Sequence, residues 1–184
     1  MENIHENGYW LYKRDGYFFD EPLCNSIISL VKNYAKTIID IGCGNGAYTN
    51  HFIKNGFECS GFDGNPFTPE LTNNTCQIKD FSQFVDVGKF DVVLSLEVAE
   101  HIPNKHEQIF IDNLCRVAKN NIIMSWAVEG QGGIGHINCK NNDYVINEFK
   151  KRGYTYNVES SNFLRENSTV SWFKDTIMVF NIMN

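Results

Sequence analysis

Three glycines, Gly42, Gly44 and Gly46, stand at alternate positions directly after Asp40 and Ile41. The β-branched run that leads to Asp40 is typical of a buried parallel strand. Glycines after such a strand permit a tight turn and a close approach of the backbone to a ligand at the start of the next helix. Because the carboxylate of Asp40 repels a pyrophosphate and attracts a cation, the turn predicts a nucleoside ligand that carries positive charge.

Acidic residues end four predicted strands, at Asp40, Asp63, Asp80 and Glu97. One such acid commonly caps the next turn, whereas four in succession favour a ligand site. Ligands of open parallel sheets bind beyond the carboxyl ends of the strands, so we expect these acids to surround one pocket. Asp63 lies about twenty residues after the first glycine, the spacing at which an acid reaches ribose hydroxyls.

S-adenosylmethionine carries an ammonium and a sulfonium, and it fits the charge that these acids require. We expect Asp40 and the glycine turn to meet its methionyl end. Asp80 is expected to accept a hydrogen bond from the adenine amino group, with Phe81 beside the ring. Glu97 ends the fourth strand and is expected to face the place of methyl transfer.

The order of apolar runs, turns and helix signals predicts an α/β fold. The expected strands span residues 37–41, 57–62, 75–79, 90–96, 122–126, 154–159 and 176–182. Helices are expected to begin near 20–22, after 46, near 103–104 and near 142–143. Strands that alternate with helices indicate a parallel sheet with right-handed crossovers. The last two strands lack an evident helical crossover, so an antiparallel edge strand is expected.

The composition argues against several classes of function. The chain has 184 residues, a net charge of -6 and a pI near 5.3, so no nucleic-acid partner is expected. Its six cysteines form no CxxC pair, and no metal site is expected. No apolar run reaches membrane-spanning length, which favours a cytoplasmic, reducing location without a membrane partner. We expect one domain, with an N-terminal arm over 1–21 and a core over 22–184.

Three segments, taken in order, resemble the first, second and fourth motifs of class I S-adenosylmethionine-dependent methyltransferases. The segments are Asp40-Ile41-Gly42-Cys43-Gly44-Asn45-Gly46, Gly61-Phe62-Asp63-Gly64-Asn65-Pro66 and Leu94-Ser95-Leu96-Glu97-Val98-Ala99-Glu100-His101-Ile102-Pro103. The resemblance covers about residues 35–128. It implies a Rossmann-like, seven-stranded, mostly parallel sheet with an antiparallel last strand and helices on both faces.

The resemblance also implies the cofactor, S-adenosylmethionine, and its product, S-adenosylhomocysteine. The implied cofactor contacts are Asp40, Gly42, Gly44, Gly46, Asp63, Asp80 and Glu97. Gly64, beside Asp63, and Phe81, beside Asp80, are expected at the same site.

Methyl transfer to a hydroxyl group requires removal of a proton. His136, in the glycine-rich loop after the fifth strand, is the predicted general base, and His101 and Glu97 are the other candidate catalytic residues. The loop resembles one in a small-molecule and glycan-modifying subgroup of the family. With the amides Gln131 and Asn138 nearby, it favours O-methylation of a small hydroxylated acceptor, namely a sugar or a glycan.

Two further stretches are expected at the site. Residues 9–19 precede the first strand and are densely aromatic, which favours a lid over the cofactor, with core packing as the alternative. Residues 162–173, which include Phe163, Leu164, Arg165 and Trp172, are expected to form another wall of the acceptor pocket. Glu100 is interpreted as an acid in the first turn of a helix, where the dipole favours it.

Three alternative functions are left open by the sequence. One is N- or C-methylation of another small molecule, since a neutral amine needs less help from a base. Another is a nicotinamide-dependent oxidoreductase, which shares the glycine turn and the ribose acid and whose fingerprint Ala47 fits. Asp40 and the string from Glu97 to His101 argue against it. The third is a non-catalytic partner subunit, which would have no need of every acid.

Overall fold

Seven strands form one sheet in a computed structural model that describes residues 3–13 and 17–183. The strands are β1 (Thr37–Ile41), β2 (Glu58–Asp63), β3 (Gln77–Ile78), β4 (Phe90–Ser95), β5 (Ala118–Met124), β6 (Tyr154–Tyr156) and β7 (Met178–Ile182). Their order across the sheet is β3-β2-β1-β4-β5-β7-β6.

Helices connect most of these strands. They are α1 (Glu21–Val31), α2 (Ala47–Lys54), α3 (Thr68–Leu71), α4 (Glu107–Val117), α5 (Asn142–Lys151), α6 (Val158–Asn167) and α7 (Phe173–Thr176), with short 3-10 turns at Ala99–His101 and Asn104–His106. Among the residues that the structure describes, no helix is long and apolar enough to cross a bilayer.

The sheet is parallel except at its last strand. Strands β3, β2, β1, β4 and β5 pair in parallel, whereas β7 runs antiparallel to both of its neighbours, β5 and β6. The predicted seven-stranded, mostly parallel sheet with an antiparallel last strand is therefore confirmed. The expectation that the antiparallel strand lies at the edge is wrong, because β7 inserts between β5 and β6.

The chain can return into the sheet because a helical segment separates the last two strands. The expected strand over 154–159 ends at Tyr156, and α6 begins at Val158. Asn157 caps this helix, since its side-chain oxygen accepts a hydrogen bond from the Ser160 backbone N–H at 2.9 Å. Asn157 is the sequence signal that predicts the start of a helix. The β-branched Val158 that follows it favours a strand, so the sequence pattern extends the predicted strand past the true helix start.

Other element ends also differ from the expected ones. The third strand shortens to 77–78, and the fifth begins at Ala118 rather than at 122. Helix α4 begins at Glu107, because a separate 3-10 turn occupies the predicted helix start at 104–106.

Side chains alternate along the strands between two hydrophobic cores. Ile39 and Val93 belong to one core, to which α4 and α5 contribute. Their chain neighbours Ile38 and Val92 belong to the other, to which α1, α2 and α6 contribute. The predicted helices on both faces are thus confirmed, and the two cores hold the strand ends in fixed positions.

Asp20 joins the start of α1 to the segment after α6. Its Oδ1 accepts a hydrogen bond from the Leu23 N–H at 3.1 Å and caps the helix, as the sequence predicts. Its Oδ2 accepts hydrogen bonds from the N–H groups of Thr169 and Val170 at 2.7 and 2.8 Å. One buried side chain thus fixes the base of the N-terminal arm against a distant part of the chain.

Candidate active site

A cavity of about 420 Å³ lies at the carboxyl ends of the parallel strands. This volume is typical of ligand pockets, which span roughly 300–1,000 Å³. The predicted cofactor residues that line it are Asp40, Gly42, Gly44, Asp63, Gly64, Asp80, Phe81 and Glu97. The candidate catalytic residues His101 and His136 line it as well. Gly46 lies behind the turn, where it packs on Thr72 and Cys76.

The glycine turn is packed too tightly for side chains. Gly42 has a φ of +78° and Gly44 a φ of +55°, in the left-handed region that favours glycine. A Cβ at Gly42 would lie 2.2 Å from Val98, and one at Gly44 would lie 2.6 Å from the ring of Tyr17. The backbone of the turn can therefore approach a ligand closely only with glycine at these positions.

Asp63 fastens the glycine turn to β2. Its Oδ2 accepts a hydrogen bond from the Gly44 N–H at 3.0 Å, and its Oδ1 accepts one from the Asn65 N–H at 2.9 Å. Desolvation raises the pKa of Asp63, and these backbone donors oppose the rise. The carboxylate is therefore held by the backbone at the cavity, as the predicted ribose contact requires.

Asp40 is a buried acid on β1, only 4% exposed. Its Oδ2 accepts a hydrogen bond from the Thr49 hydroxyl at 2.7 Å. Burial nevertheless raises the pKa of Asp40 to about 6. A buried carboxylate with so little compensation favours a cation in the cavity, in line with the predicted contact to an ammonium group.

Asp80 and Phe81 follow β3. The Oδ1 of Asp80 accepts a hydrogen bond from the Ser82 N–H at 2.8 Å, and its Oδ2 accepts one from the Asn7 amide at 2.7 Å. Asn7 thus places an NH₂ group on the oxygen expected to meet the adenine amino group. Phe81 is 5% exposed and lies 6.0 Å from Phe62 between ring centroids, so it belongs to both the core and the cavity wall.

Glu97 adopts a strained backbone conformation directly after β4. Its φ is +54°, which costs a non-glycine residue about 1–2 kcal/mol. Both carboxylate oxygens are bonded, because the Ser125 hydroxyl donates to Oε1 and the Gln131 amide donates to Oε2, each at 2.8 Å. Strain of this kind persists where the surroundings fix it, and it is typical of functional positions.

Glu100 is a fully buried acid close to Glu97. Neither of its side-chain oxygens makes a hydrogen bond of ordinary length and angle among the described residues, although the Ala127 backbone and the Glu97 carboxyl group lie close enough to influence its pKa. Burial raises the pKa of Glu100 well above its usual range, and the charge of Glu97 adds to the rise. Glu100 lies in the first turn of a short 3-10 helix, Ala99–His101, as interpreted from the sequence, but its side chain is enclosed by protein, which a dipole contact alone does not explain.

His101 and His136 meet with ring centroids 5.0 Å apart. The Nδ1 of His101 lies 3.1 Å from the carbonyl oxygen of Gly135, and the Nδ1 of His136 lies 3.1 Å from that of Gln131. A carbonyl oxygen only accepts, so each Nδ1 carries a proton, and in the neutral ring the lone pair is on Nε2. The Nε2 of His136 lies 3.8 Å from Oε1 of Glu100.

Glu100, His101 and His136 each place one potential ligand atom within 4.8 Å of the others. The expectation of no metal site rests on cysteine spacing, and this cluster offers carboxylate and imidazole groups instead. Glu100 and His101 are adjacent in the sequence, but His136 joins them only through folding of its loop. The argument from cysteine spacing therefore does not apply to this cluster.

The loop that carries His136 is tied to the 3-10 turn by its backbone. The N–H groups of Ile137 and Asn138 both donate to the carbonyl oxygen of Glu100, at 3.0 and 2.9 Å. The Asn138 amide donates to Glu107 at 2.9 Å, and Asn138 is only 4% exposed. Asn138, predicted at the acceptor, therefore fixes the loop and does not line the cavity.

The N-terminal arm covers part of the cavity. Its lining residues are Asn7, Gly8, Tyr9, Trp10, Tyr17 and Phe18. A Cβ at Gly64 would lie 2.4 Å from the ring of Tyr9, so the arm packs directly on the turn after β2. Trp10 lies edge-on to His101 at 5.8 Å. Within the predicted lid over 9–19, residues 14–16 lie outside the described residues.

The predicted acceptor wall over 162–173 is present only in part. Trp172 and Phe173 line the cavity. Leu164 belongs to a hydrophobic core, and Arg165 donates a hydrogen bond to the Ile177 carbonyl oxygen at 2.8 Å. Helix α6 directs these side chains and Phe163 away from the cavity, and the expected acceptor wall over 162–173 did not include such a helix.

A parallel sheet with this strand order, a glycine turn after β1 and acids after the next strands defines a class I methyltransferase fold. The profile of a family described as "Methyltransferase domain" matches residues 16–159. Because the match covers most of the chain, this protein belongs to that methyltransferase domain family. The class that the three motifs predict is confirmed.

Solved structures share the fold at low sequence identity. Magnesium protoporphyrin IX methyltransferase from Synechocystis PCC 6803, with bound S-adenosylmethionine, gives a TM-score of 0.65 at 17% identity and covers 86% of this chain and 77% of that chain. An N-methyltransferase from Bradyrhizobium japonicum WM9, in complex with S-adenosyl-L-homocysteine, gives 0.65 at 16% identity over 89% and 87%.

Tocopherol O-methyltransferase, a chloroplastic protein of Arabidopsis thaliana, is 33% identical over 107 residues. The match covers 50% of this chain and 30% of the relative, so the chain spans less than a third of that relative's length. The similarity therefore concerns the methyltransferase core rather than the whole relative.

Proposed function

We propose that this protein transfers the methyl group of S-adenosylmethionine to a small hydroxylated acceptor. The observation that carries the proposal is one cavity that joins the glycine turn and the strand-end acids to a cluster of histidines and carboxylates. Membership of the methyltransferase family supports the reaction. An in-line transfer needs a cofactor and an acceptor side by side, and such a cavity holds both.

Three acids form the cofactor end of the cavity. Asp40 receives the ammonium group, because burial leaves its carboxylate short of compensating charge. Asp63 receives the ribose hydroxyls on oxygens that the turn holds in place. Asp80 accepts the adenine amino group once Asn7 releases its Oδ2, and Phe81 lies beside the ring.

The reaction is a displacement at the methyl carbon. The acceptor oxygen forms a bond to that carbon while the carbon–sulfur bond breaks, and the electron pair of the broken bond goes to sulfur, which yields S-adenosylhomocysteine. The hydroxyl proton must also leave, which a nearby base assists. His101, His136 and Glu97 stand at the acceptor end, and the Nε2 lone pair of His136 suits the base role predicted for it.

The aromatic and amide groups in the cavity wall support a ring-shaped, hydroxylated acceptor. Trp10 and Trp172 offer flat aromatic surfaces, and Gln131 offers an amide. The indole N–H of Trp172 is buried without a hydrogen-bond partner among the described residues, and such a donor favours a partner on the acceptor. These three residues support a sugar or glycan unit. One amide N–H of Gln131 already donates to Glu97, which leaves its second N–H for an acceptor, whereas Asn138 does not line the cavity.

The first experiment separates this function from that of a nicotinamide enzyme. S-adenosylmethionine, S-adenosylhomocysteine and NAD⁺ are each titrated by calorimetry and by thermal shift, with the protein in a chelator. We expect both S-adenosyl compounds to release or absorb heat on binding and to raise the melting temperature. We expect NAD⁺ to do neither. The absence of both binding heat and a thermal shift with the two S-adenosyl compounds at near-millimolar concentration contradicts the proposal.

The second experiment identifies the acceptor atom. The protein is incubated with methyl-labelled S-adenosylmethionine and matched panels of monosaccharides, phenols and amines. We expect the label on a hydroxylated compound, with one S-adenosylhomocysteine formed per methyl transferred. Label confined to amines overturns the hydroxyl assignment and leaves a methyltransferase of another acceptor class. A chain that binds the cofactor but labels nothing in these panels or in a metabolite extract is a non-catalytic subunit.

A further inference from the structure

We propose that Glu100, His101 and His136 bind one divalent transition-metal ion at the acceptor end of the cavity. One potential ligand atom from each residue lies within 4.8 Å of the other two, and both histidines line the cavity. The binding does not depend on the proposed methyl transfer, whereas the role given to the metal below does.

The strongest observation is the state of the Glu100 carboxyl group. It is fully enclosed by protein, and neither oxygen makes a hydrogen bond of ordinary length and angle among the described residues. A buried carboxylate without a partner is costly, and buried charges in proteins are paired or coordinate metals. His136 presents Nε2 at 3.8 Å from Oε1, too far for a hydrogen bond but suited to two ligands of one ion.

Both histidines are held in the tautomer that a metal requires. The Nδ1 of each ring faces a backbone carbonyl oxygen at 3.1 Å, from Gly135 for His101 and from Gln131 for His136. Metal-binding histidines almost always donate their other ring N–H to such a group, which fixes the ring and raises the basicity of the ligand nitrogen. The loop thus supplies the outer hydrogen bonds of a metal site.

Gly133 allows the His136 ring to reach this position. A Cβ on Gly133 would lie 2.2 Å from Nε2 of His136. A Cβ on the adjacent Gly132 would meet nothing within 4 Å. The loop therefore has one glycine that the cluster needs for steric reasons and a neighbour that serves as a matched control.

The donor set defines the class of ion. Two imidazole nitrogens and one carboxylate suit Zn²⁺, Fe²⁺, Co²⁺ or Mn²⁺ better than Ca²⁺, which takes oxygen ligands. Metal–ligand bonds of about 2.0–2.2 Å place neighbouring ligand atoms roughly 3–4 Å apart. The separation of 3.8 Å between His136 and Glu100 already fits, and small side-chain movements suffice for the rest.

Glu97 stands next to this set without belonging to it. Its oxygens are occupied by Ser125 and Gln131, and it adds a second negative charge beside Glu100. Among the described residues, Lys79 is the single Lys or Arg that lines the cavity, and it follows β3 beside Asp80. A divalent cation bound at the cluster would offset the charge of both carboxylates.

A bound ion changes the role of His136 in the proposed reaction. The Nε2 lone pair then goes to the metal, so His136 is a ligand rather than the base predicted from the sequence. An ion held by Glu100, His101 and His136 would supply Lewis-acid activation of the acceptor hydroxyl, as metals do for bound water.

The test begins with metal-free protein prepared in a chelator and then dialysed. Co²⁺, Zn²⁺, Mn²⁺ and Mg²⁺ are titrated separately by calorimetry, and Co²⁺ is also followed by its visible absorption. We expect one equivalent of Co²⁺ or Zn²⁺ with a visible Co²⁺ band, and weaker binding of Mg²⁺. No saturable binding of any of these ions overturns the proposal.

Variants assign the binding to the cluster. Glu100→Gln and His136→Ala should each weaken Co²⁺ binding by at least about a hundredfold, more than loss of an outer partner costs. Gly133→Ala should weaken it as well, and Gly132→Ala should not. His51→Ala, on α2 and bonded to Asn25, is the histidine control. Ion binding that survives Glu100→Gln and His136→Ala is surface binding, and it overturns the site.

Glu100→Gln keeps the side-chain shape and gives a second readout that a purely structural acid would not show. In metal-free protein the variant should melt at a higher temperature, because it removes a buried acid beside Glu97. Saturating Co²⁺ should stabilise the wild type more than the variant. The wild type should then melt at a higher temperature than the variant, the reverse of the metal-free result. An unchanged order in both conditions contradicts metal binding by Glu100. The titration of S-adenosylmethionine in the presence of a chelator tests cofactor binding without any metal. Failure of the metal site can therefore be distinguished from failure of the proposed function.

Discussion

The two ends of the cavity differ in how their carboxylates are satisfied. At the cofactor end, Asp63 and Asp80 each accept two hydrogen bonds from nearby groups. At the acceptor end, Glu100 is buried and makes no hydrogen bond of ordinary length and angle among the described residues, and Glu97 beside it has a φ of +54°. Asp40 and Glu100 are thus the two buried carboxylates of the site with the fewest hydrogen-bond donors among the described residues, one at each end of the cavity.

This difference assigns different consequences to substitutions at the two ends. Changes at the cofactor end should alter affinity for S-adenosylmethionine, because its contacts exist before the reaction. Changes at the acceptor end should alter turnover, because its groups act on the developing bond.

The largest expected effect is on turnover. His136→Ala should lower kcat by about a hundredfold or more, since activation of a hydroxyl group contributes roughly 10²–10⁴. Cofactor affinity should stay nearly constant, because the side chain belongs to the acceptor end. Single-turnover kinetics with calorimetry measures both. A loss of cofactor affinity as large as the loss of turnover would remove the distinction between the two ends.

The next effect is on affinity. Asp63→Ala should weaken S-adenosylmethionine binding by about 1.5–3 kcal/mol, the scale of a lost hydrogen bond to a charged group. The turn also loses the acceptor for the Gly44 N–H. Glu58→Ala, on the same strand but in an exposed ion pair with Lys36, is the control. Calorimetry that finds equal affinities for the two variants would show that the ribose is held elsewhere.

A smaller effect concerns pH. The pKa of Asp40 is about 6, above its usual 3.8, so the folded protein binds this proton more tightly than the unfolded chain. Its contribution to folding is full below about pH 4 and is lost as the pH rises through 6. A cationic ligand needs the ionised form, so S-adenosylmethionine affinity should fall about tenfold for each pH unit below 6.

Calorimetry between pH 5 and pH 8 measures this dependence. Asp40→Asn should bind more weakly at pH 8 and should lose the dependence below pH 6. A wild-type protein whose affinity is constant over that range would show that the ammonium group does not meet Asp40.

The smallest effect tests the arm. Gly8 has a φ of +97°, and a Cβ there would lie 2.0 Å from the carbonyl oxygen of His101. Gly8→Ala should displace the arm, speed hydrogen exchange over 3–13 and weaken cofactor binding by about 1 kcal/mol, or about fivefold. Gly88→Ala is the control. Gly88 has a similar backbone conformation, with a φ of +80°, but a Cβ there would meet nothing within 4 Å, so cofactor binding should not change.

The same measurement addresses the predicted lid. Exchange over residues 9–13 and 17–19 should slow when S-adenosylhomocysteine is added to the wild type. Equal exchange with and without the ligand would make the arm a fixed wall of the cavity rather than a lid.

The cofactor end was predictable because its signals are local. A buried strand, alternate glycines and a strand-end acid each follow from a few neighbouring residues, and Asp63 meets Gly44 through the parallel register of β1 and β2. The sequence also predicted most strands, because β-branched runs between turn residues are strong signals.

The acceptor end was less predictable because it depends on chain folding over longer distances. Glu100 resembles a helix-start acid until the loop after β5 bonds to its carbonyl oxygen through Ile137 and Asn138. His136 reaches the cluster only through that loop. The helix after Asn157 was missed for a related reason, since burial decides whether a β-branched residue such as Val158 joins a strand or a helix.

The position of β7 has a consequence for how the chain folds during synthesis. Strand β5 pairs with β7 on one side, yet β7 leaves the ribosome well after β5. Roughly fifty residues separate the two strands, which corresponds to about 3–10 s of translation at usual rates. During that interval the hydrophobic edge of β5 is open to pairing with other chains. Released chains that end before Met178 should therefore bind chaperones and aggregate more readily than released chains that include Ile182.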